Sequence, residues 1–157
     1  MNSYMNKEER YSLLSRQVRL MAADTPDTIA LMANVASLLH LEFGFWWTGF
    51  YRVMDGELIL GPFQGPVACI RIPFGKGVCG TAWKEQKTIV VPDVEKFPGH
   101  IACSSESRSE IVVPVRSNGK ITAVIDIDSR EYDTFDVTDA LWLEHIADMV
   151  GNPSASE

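Results

Sequence analysis

The sequence predicts an α+β fold, an antiparallel sheet with helices packed on one face and a loop-covered ligand pocket on the other. Three observations predict it. Apolar residues recur at helical spacing near both ends of the chain, strand-like stretches meet at tight-turn residues in two places, and those strands are joined as hairpins rather than by the long crossovers of parallel sheets. With 157 residues and 46% hydrophobic content, a single domain over 1–157 can bury a real core.

In chain order, residues 7–21 place Tyr11, Leu14, Val18 and Met21 on one stripe, so 1–21 forms an N-terminal packing helix. A second helix starts at Thr25 as N-cap with Pro26 in the first helical position, presents Ile29, Met32, Ala33, Ala36 and Leu39, and stops at Gly44. His40 stands at its end, where a cation favours the helix dipole. Residues 45–53 and 58–63 form a hairpin around Met54-Asp55-Gly56-Glu57, and alternation puts Trp47 and Tyr51 on one face and Trp46 and Phe50 on the other.

A strand over 67–72 leads into Gly75-Lys76-Gly77-Val78-Cys79-Gly80 and a short helix. That run spells G-x-G-x-x-G, but a dinucleotide fold needs a parallel sheet and long helices, so the glycines are assigned to a tight loop with positive φ. A short strand over 88–91 follows, then an irregular run over 92–109 whose length marks it as functional. Residues 111–115 and 120–128 make a second hairpin around Ser117-Asn118-Gly119. Phe135 and Asp136 introduce the last helix, with Leu141, Ile146, Met149 and Val150 apolar, ended by Gly151 and Pro153; residues 154–157 are expected to fray.

The net charge of −7 is spread along the chain without a basic cluster, so nucleic acid is not expected as a partner. No apolar run reaches membrane-span length and the N-terminus is too polar for a secretory signal, so no membrane association and a cytoplasmic location are expected. Three cysteines in such a chain are free, metal-bound or catalytic rather than a disulfide framework.

Two constellations point to chemistry. Asp126 and Asp128 lie two apart on a strand, about 7 Å along one face, where mutual repulsion raises at least one pKa unless a cation such as a ligand's ammonium intervenes. Glu110 joins them if the hairpin has a three-residue turn with Gly119 in a bulge, which sets Glu110 opposite Asp126; a strict Asn118-Gly119 turn would pair it with Ile127 and turn it away. We take the bulged register. Among the thiols, Cys103 lies in a polar loop near His100 and Arg108, groups that depress a thiol pKa, and is the best nucleophile. Either Cys69 or Cys79 could meet an oxidised Cys103. Alternatives are three inert thiols, or a zinc set of His100, Cys103, Cys69 and Cys79 whose spacing lacks close ligand pairs. His145 is assigned to surface or packing, and no G-x-S-x-G elbow supports a serine hydrolase.

Gly61-Pro-Phe-Gln-Gly65, Ala68-Cys69-Ile-Arg-Ile-Pro73, Gly75-Lys-Gly-Val-Cys79-Gly80-Thr-Ala82, Gly99-His-Ile-Ala-Cys103, Ser109-Glu110-Ile-Val-Val-Pro114 and Asp126-Ile-Asp128-Ser129 together resemble the GAF-domain free methionine-(R)-sulfoxide reductases over residues 22–150. The resemblance implies a GAF-like fold and reduction of free L-methionine (R)-S-oxide through a sulfenic acid and an intramolecular disulfide recycled by thioredoxin. It implies Cys103 as nucleophile, Cys69 as resolving partner, Cys79 as a further cysteine of less settled role, Glu110, Asp126 and Asp128 as the acidic pocket, and Trp47 and Tyr51 as aromatics around the substrate. It also implies a homodimer, with no cofactor or metal. One departure is Ser104, where the family often carries an acid. The other function classes are a non-catalytic GAF-type sensor of a small ligand and a zinc-stabilised interaction domain.

Overall fold

A computed structural model describes residues 4–103 and 105–153; Ser104 and the tail over 154–157 lie outside the described residues. The chain runs α1 (Lys7–Ala23), α2 (Thr28–Phe43), β1 (Trp47–Met54), β2 (Glu57–Gln64), β3 (Arg71–Pro73), α3 (Gly77–Glu85), β4 (Ile89–Val91), one 3-10 turn (Val94–Lys96), β5 (Ser109–Ser117), β6 (Lys120–Ser129) and α4 (Val137–Gly151). The strands form one antiparallel sheet in the order β3-β2-β1-β6-β5-β4.

Strand alternation divides the sheet into two faces. Phe50, Ile111, Val113, Val115, Ala123, Ile125 and Ile127 point to α1, α2 and α4 and meet Tyr11, Val18, Val35, Leu39, Leu143 and Ile146 in the main core. Each of these larger side chains contributes about 1.5–3 kcal/mol through its burial. The opposite face carries Trp47, Tyr51, Val112 and Val124 against α3 and the connecting loops. Helices therefore cover the first face as expected, and α3 joins the loops over the second.

Several local expectations are corrected. The cap of α2 is Asp27, whose side chain accepts from Ile29 N at 2.7 Å, while Thr25 forms a turn ahead of it. Pro26 therefore lies outside the helix. Burial lowers the pKa of His40, so it is a neutral partner of Thr48 (3.2 Å) rather than a cation at the helix end. Trp46 precedes β1 and packs with the second face, not beside Phe50. Residues 67–70 are not strand; only Arg71–Pro73 pairs with β2. On α4 Leu141 faces outward at 62% exposed and Leu143 takes the core position.

The register of β5 on β6 is the correction with most consequence. The turn is the strict two-residue form, with Ser117 opposite Lys120 and positive φ at Asn118 and Gly119. The bulge lies two residues further on, where Val115 pairs with Ala123 but Arg116 with Ile121, leaving Thr122 as the extra residue. The shift is opposite to the expected one. Glu110 faces Asp128 instead of Asp126, and because the aspartates share a face, all three acids still meet.

Helix α1 is tied to α4 by Asp139, which is 1% exposed. It accepts from Tyr11 Oη at 2.6 Å, Lys7 Nζ at 2.7 Å and Asp136 N at 2.9 Å, the last completing the capping box of α4. Replacing Asp139 by Ala leaves the buried Tyr11 hydroxyl unpaired and should cost about 3 kcal/mol, a fall in Tm of roughly 6–12 °C by calorimetry.

Candidate active site

The acidic floor is built by two cross-strand rows. Trp47, Asp128 and Glu110 stand side by side across β1, β6 and β5, and Gly49, Asp126 and Val112 form the next row. Gly49 is a residue the sequence reading passed over. A Cβ there would lie 2.6 Å from the Trp47 ring and 2.5 Å from Phe63 Cβ, so only glycine lets the indole lie along the wall. Trp47 stacks on Phe63 and Tyr51 at centroid separations of 5.3 and 5.9 Å.

These aromatics also hold the segment that carries Cys69. Trp47 Nε1 donates to Pro66 O at 3.0 Å and Tyr51 Oη donates to Cys69 O at 2.8 Å. Cys69 is bonded to Cys103 as a disulfide, their Cα atoms 5.5 Å apart, and both residues are half-buried. Ile101 rests against Gly77 at the start of α3, where a Cβ would come within 3.0 Å of its Cδ1, and this contact brings the 100–103 loop over the acids. The positive φ of Gly75 and Gly77 fits the tight-loop assignment of this run.

Trp47, Tyr51, Cys79, Cys103, Glu110, Asp126 and Asp128 all border one cavity, together with His100 and Ser107. The structure thus brings together the residues singled out from sequence, with Cys69 joined through its disulfide. Arg108 is an exception, since its guanidinium lies over the Tyr132 ring and donates to the Tyr132 hydroxyl. Ser107, not singled out from sequence, donates to Asp128 Oδ1 at 3.0 Å.

Burial, and then mutual repulsion, drive the electrostatics. Glu110 is held well above the ordinary carboxyl range by burial and by the charges of Asp126 and Asp128, and Asp128 rises well through burial and Asp126. Asp126 rises less, because the burial cost is opposed by the Glu110 carboxyl and the Cys79 thiol, which favour its charged form. The surroundings thus favour charge on Asp126 and a proton on Glu110 and Asp128. Burial lowers His100, so its Nε2, 3.8 Å from Glu110 Oε1, belongs to a neutral ring too distant for a hydrogen bond. Burial pushes the Cys79 thiol well up, so it stays protonated.

Cys79, Glu110 and Asp126 are the one group of donors among the described residues spaced to hold a metal ion. The alternative zinc set of His100, Cys103, Cys69 and Cys79, which its spacing already disfavoured, is not available in this state, because two of its sulfurs are bonded to each other. Among the described residues no helix is long and apolar enough to cross a membrane.

The GAF-domain family matches residues 25–152. The chain is 45% identical to the free methionine-R-sulfoxide reductase of Saccharomyces cerevisiae, covering 95% of this chain and 88% of that protein. A crystal structure of the enzyme of that name from Neisseria meningitidis, in complex with its substrate, superposes with a TM-score of 0.94 at 47% identity over 99% of this chain and 95% of that one. The reduced form of the Staphylococcus aureus fRMsr gives 0.89 at 44% identity, over 98% and 99%. With an acid-floored cavity, a half-buried cysteine pair and likeness of this degree over nearly the whole length, the chain belongs to the free methionine-R-sulfoxide reductases of the GAF-domain family, which are oxidoreductases.

Proposed function

We propose that this protein reduces free L-methionine (R)-S-oxide to methionine, with Cys103 as nucleophile, Cys69 as resolving thiol and thioredoxin as the dithiol that resets the pair. The observation that carries this reading is a Cys69–Cys103 disulfide bordering a cavity floored by Glu110, Asp126 and Asp128.

The sulfoxide oxygen leaves only when protonated, and the Glu110 carboxyl, kept neutral by burial beside Asp126, is the donor. As Glu110 delivers its proton, the Cys103 thiolate attacks sulfur. The oxygen passes to Cys103 as a sulfenic acid, and methionine departs with its sulfur reduced by two electrons. The Cys69 thiol then condenses with the sulfenic acid, forming the disulfide and one water. Thioredoxin exchanges its own dithiol for that disulfide and leaves both cysteines reduced. Cys79, buried and protonated, lines the wall and takes no part in the exchange.

Substrate selection rests on the same floor. Asp126 offers its carboxylate to the ammonium of a free amino acid, which a peptide-bound residue lacks, and the Asp128 carboxyl beside it accepts a further N–H through its carbonyl oxygen. The Trp47 and Tyr51 faces hold the S-methyl end and its electron-poor sulfur.

Cys103→Ser should abolish methionine release, which chromatography of the product checks directly. Cys69→Ser should release about one methionine per chain and then stall with thioredoxin as reductant; sustained turnover would refute its resolving role. Glu110→Gln should lower kcat by about 10²–10⁴-fold.

The pH dependence supplies an independent check. The folded pKa of Glu110 lies above its unfolded value, so the folded state holds a proton that unfolding releases. Its contribution to stability therefore falls as pH rises from the unfolded carboxyl range, about 4.3, through the folded value. Glu110→Gln should flatten that slope and be at least as stable as wild type at alkaline pH in denaturant titrations, even while its activity is lost.

A further inference from the structure

The acidic floor contains a donor that the reduction leaves idle. Cys79 Sγ and one oxygen each of Glu110 and Asp126 lie within 4.8 Å of one another, and all three residues are buried. A second observation bears on what could sit among them. Asp126, only 6% exposed, keeps Oδ1 without a hydrogen-bond partner on the cavity wall. Buried carboxylate oxygens are rarely left so, and this one stands where a cation would satisfy it.

We propose that Cys79, Glu110 and Asp126 form a binding site for a thiophilic divalent cation of the zinc kind, which blocks the substrate cavity and so inhibits the enzyme. The donor set selects the ion. One thiolate and two carboxylates match zinc or cadmium, whereas calcium and magnesium take six or more oxygens. Donors around a tetrahedral zinc ion stand roughly 3–4 Å apart, so side-chain rotations of about an ångström close the set. On binding, the Cys79 and Glu110 protons both leave to solvent and three anionic donors face an ion of charge two. His100 Nε2, 3.8 Å from Glu110 Oε1, lies outside this group of three donors, so a water completes the coordination of the ion. Because Asp126 is also assigned to the substrate ammonium, the ion and the amino acid compete.

The site is distinct from the redox pair, and this makes it testable. In the disulfide form Cys69 and Cys103 have no thiolate to give, and Cys79 is the one free cysteine. The experiment is a Cd²⁺ titration of the oxidised protein, followed by its ultraviolet thiolate-to-metal charge-transfer band, with Zn²⁺ as displacing ion. One Cd²⁺ per chain with a full band is expected, reversed by Zn²⁺ and absent in Cys79→Ser. Saturating methionine (R)-sulfoxide should lower the occupancy. No band in the oxidised wild type, or an undiminished band in Cys79→Ser, overturns the proposal. Should Cys79→Ser fail to fold by circular dichroism, Asp126→Asn keeps the thiol and should weaken Cd²⁺ binding at least about tenfold; unchanged affinity in that variant is equally fatal. The metal arms involve no substrate, so their failure would leave the reductase reading standing.

Discussion

The cavity depends on one register, Glu110 opposite Asp128 with Asp126 two residues away on the same face. Three carboxyls on a dry surface cannot all ionise, because each charge raises the cost of the next and burial raises the cost of every one. The protons that remain are held by residues that would be fully charged in water. A weak acid at neutral pH is what a reluctant leaving oxygen requires, and here it arises from crowding alone, without an unusual side chain. The arrangement is costly to the fold. It is offset on the other side of the same strands, where Ile111, Val113, Ile125 and Ile127 are completely buried against α1, α2 and α4.

Two-residue alternation therefore gives each central strand two tasks. The aromatics of β1 show how closely these are coupled, since Trp47 and Tyr51 line the cavity with their rings and fix the 66–69 segment with their polar ends. Cys69 sits within bonding reach of Cys103 because Tyr51 holds its carbonyl. On the proposed mechanism, the rings that hold the substrate are also positioning residues for the resolving thiol. Damage at either aromatic will register in both substrate affinity and disulfide formation.

What the sequence disclosed follows from the range of the forces involved. Helical stripes, strand alternation and the Asp55-Gly56 and Asn118-Gly119 turns depend on neighbours in the chain, and they were legible. The direction of the register shift was not, because Thr122 is an exposed strand residue with no local mark of a bulge. Residues 67–70 are a short apolar run like that of a strand, yet side chains from β1 hold the 66–69 segment as a strap. Tertiary burial likewise overrode the dipole argument at His40. At the site, residue chemistry identified the acids and thiols, but proximity in sequence misjudged Arg108, which turns to Tyr132, and gave no sign of Ser107. Gly49 did carry a signal, a glycine inside an aromatic strand, and a close backbone approach is the usual reason for one.

The uneven titration of the three acids bears on why the substrate is a free amino acid. Its neighbours favour the charge on Asp126, while burial and that charge hold Glu110 and Asp128 well above the ordinary carboxyl range. On the proposed mechanism, an arriving ammonium favours that charge on Asp126 and compensates its unpaired oxygen, while Glu110 keeps the proton that the sulfoxide needs. Cation and proton are complementary. A methionine sulfoxide within a peptide brings an amide in place of the ammonium and leaves Asp126 desolvated and uncompensated, a penalty of the kind that separates substrates far better than a missing methylene does. On the proposed mechanism, selectivity and acid catalysis are then two results of the same carboxyl crowding.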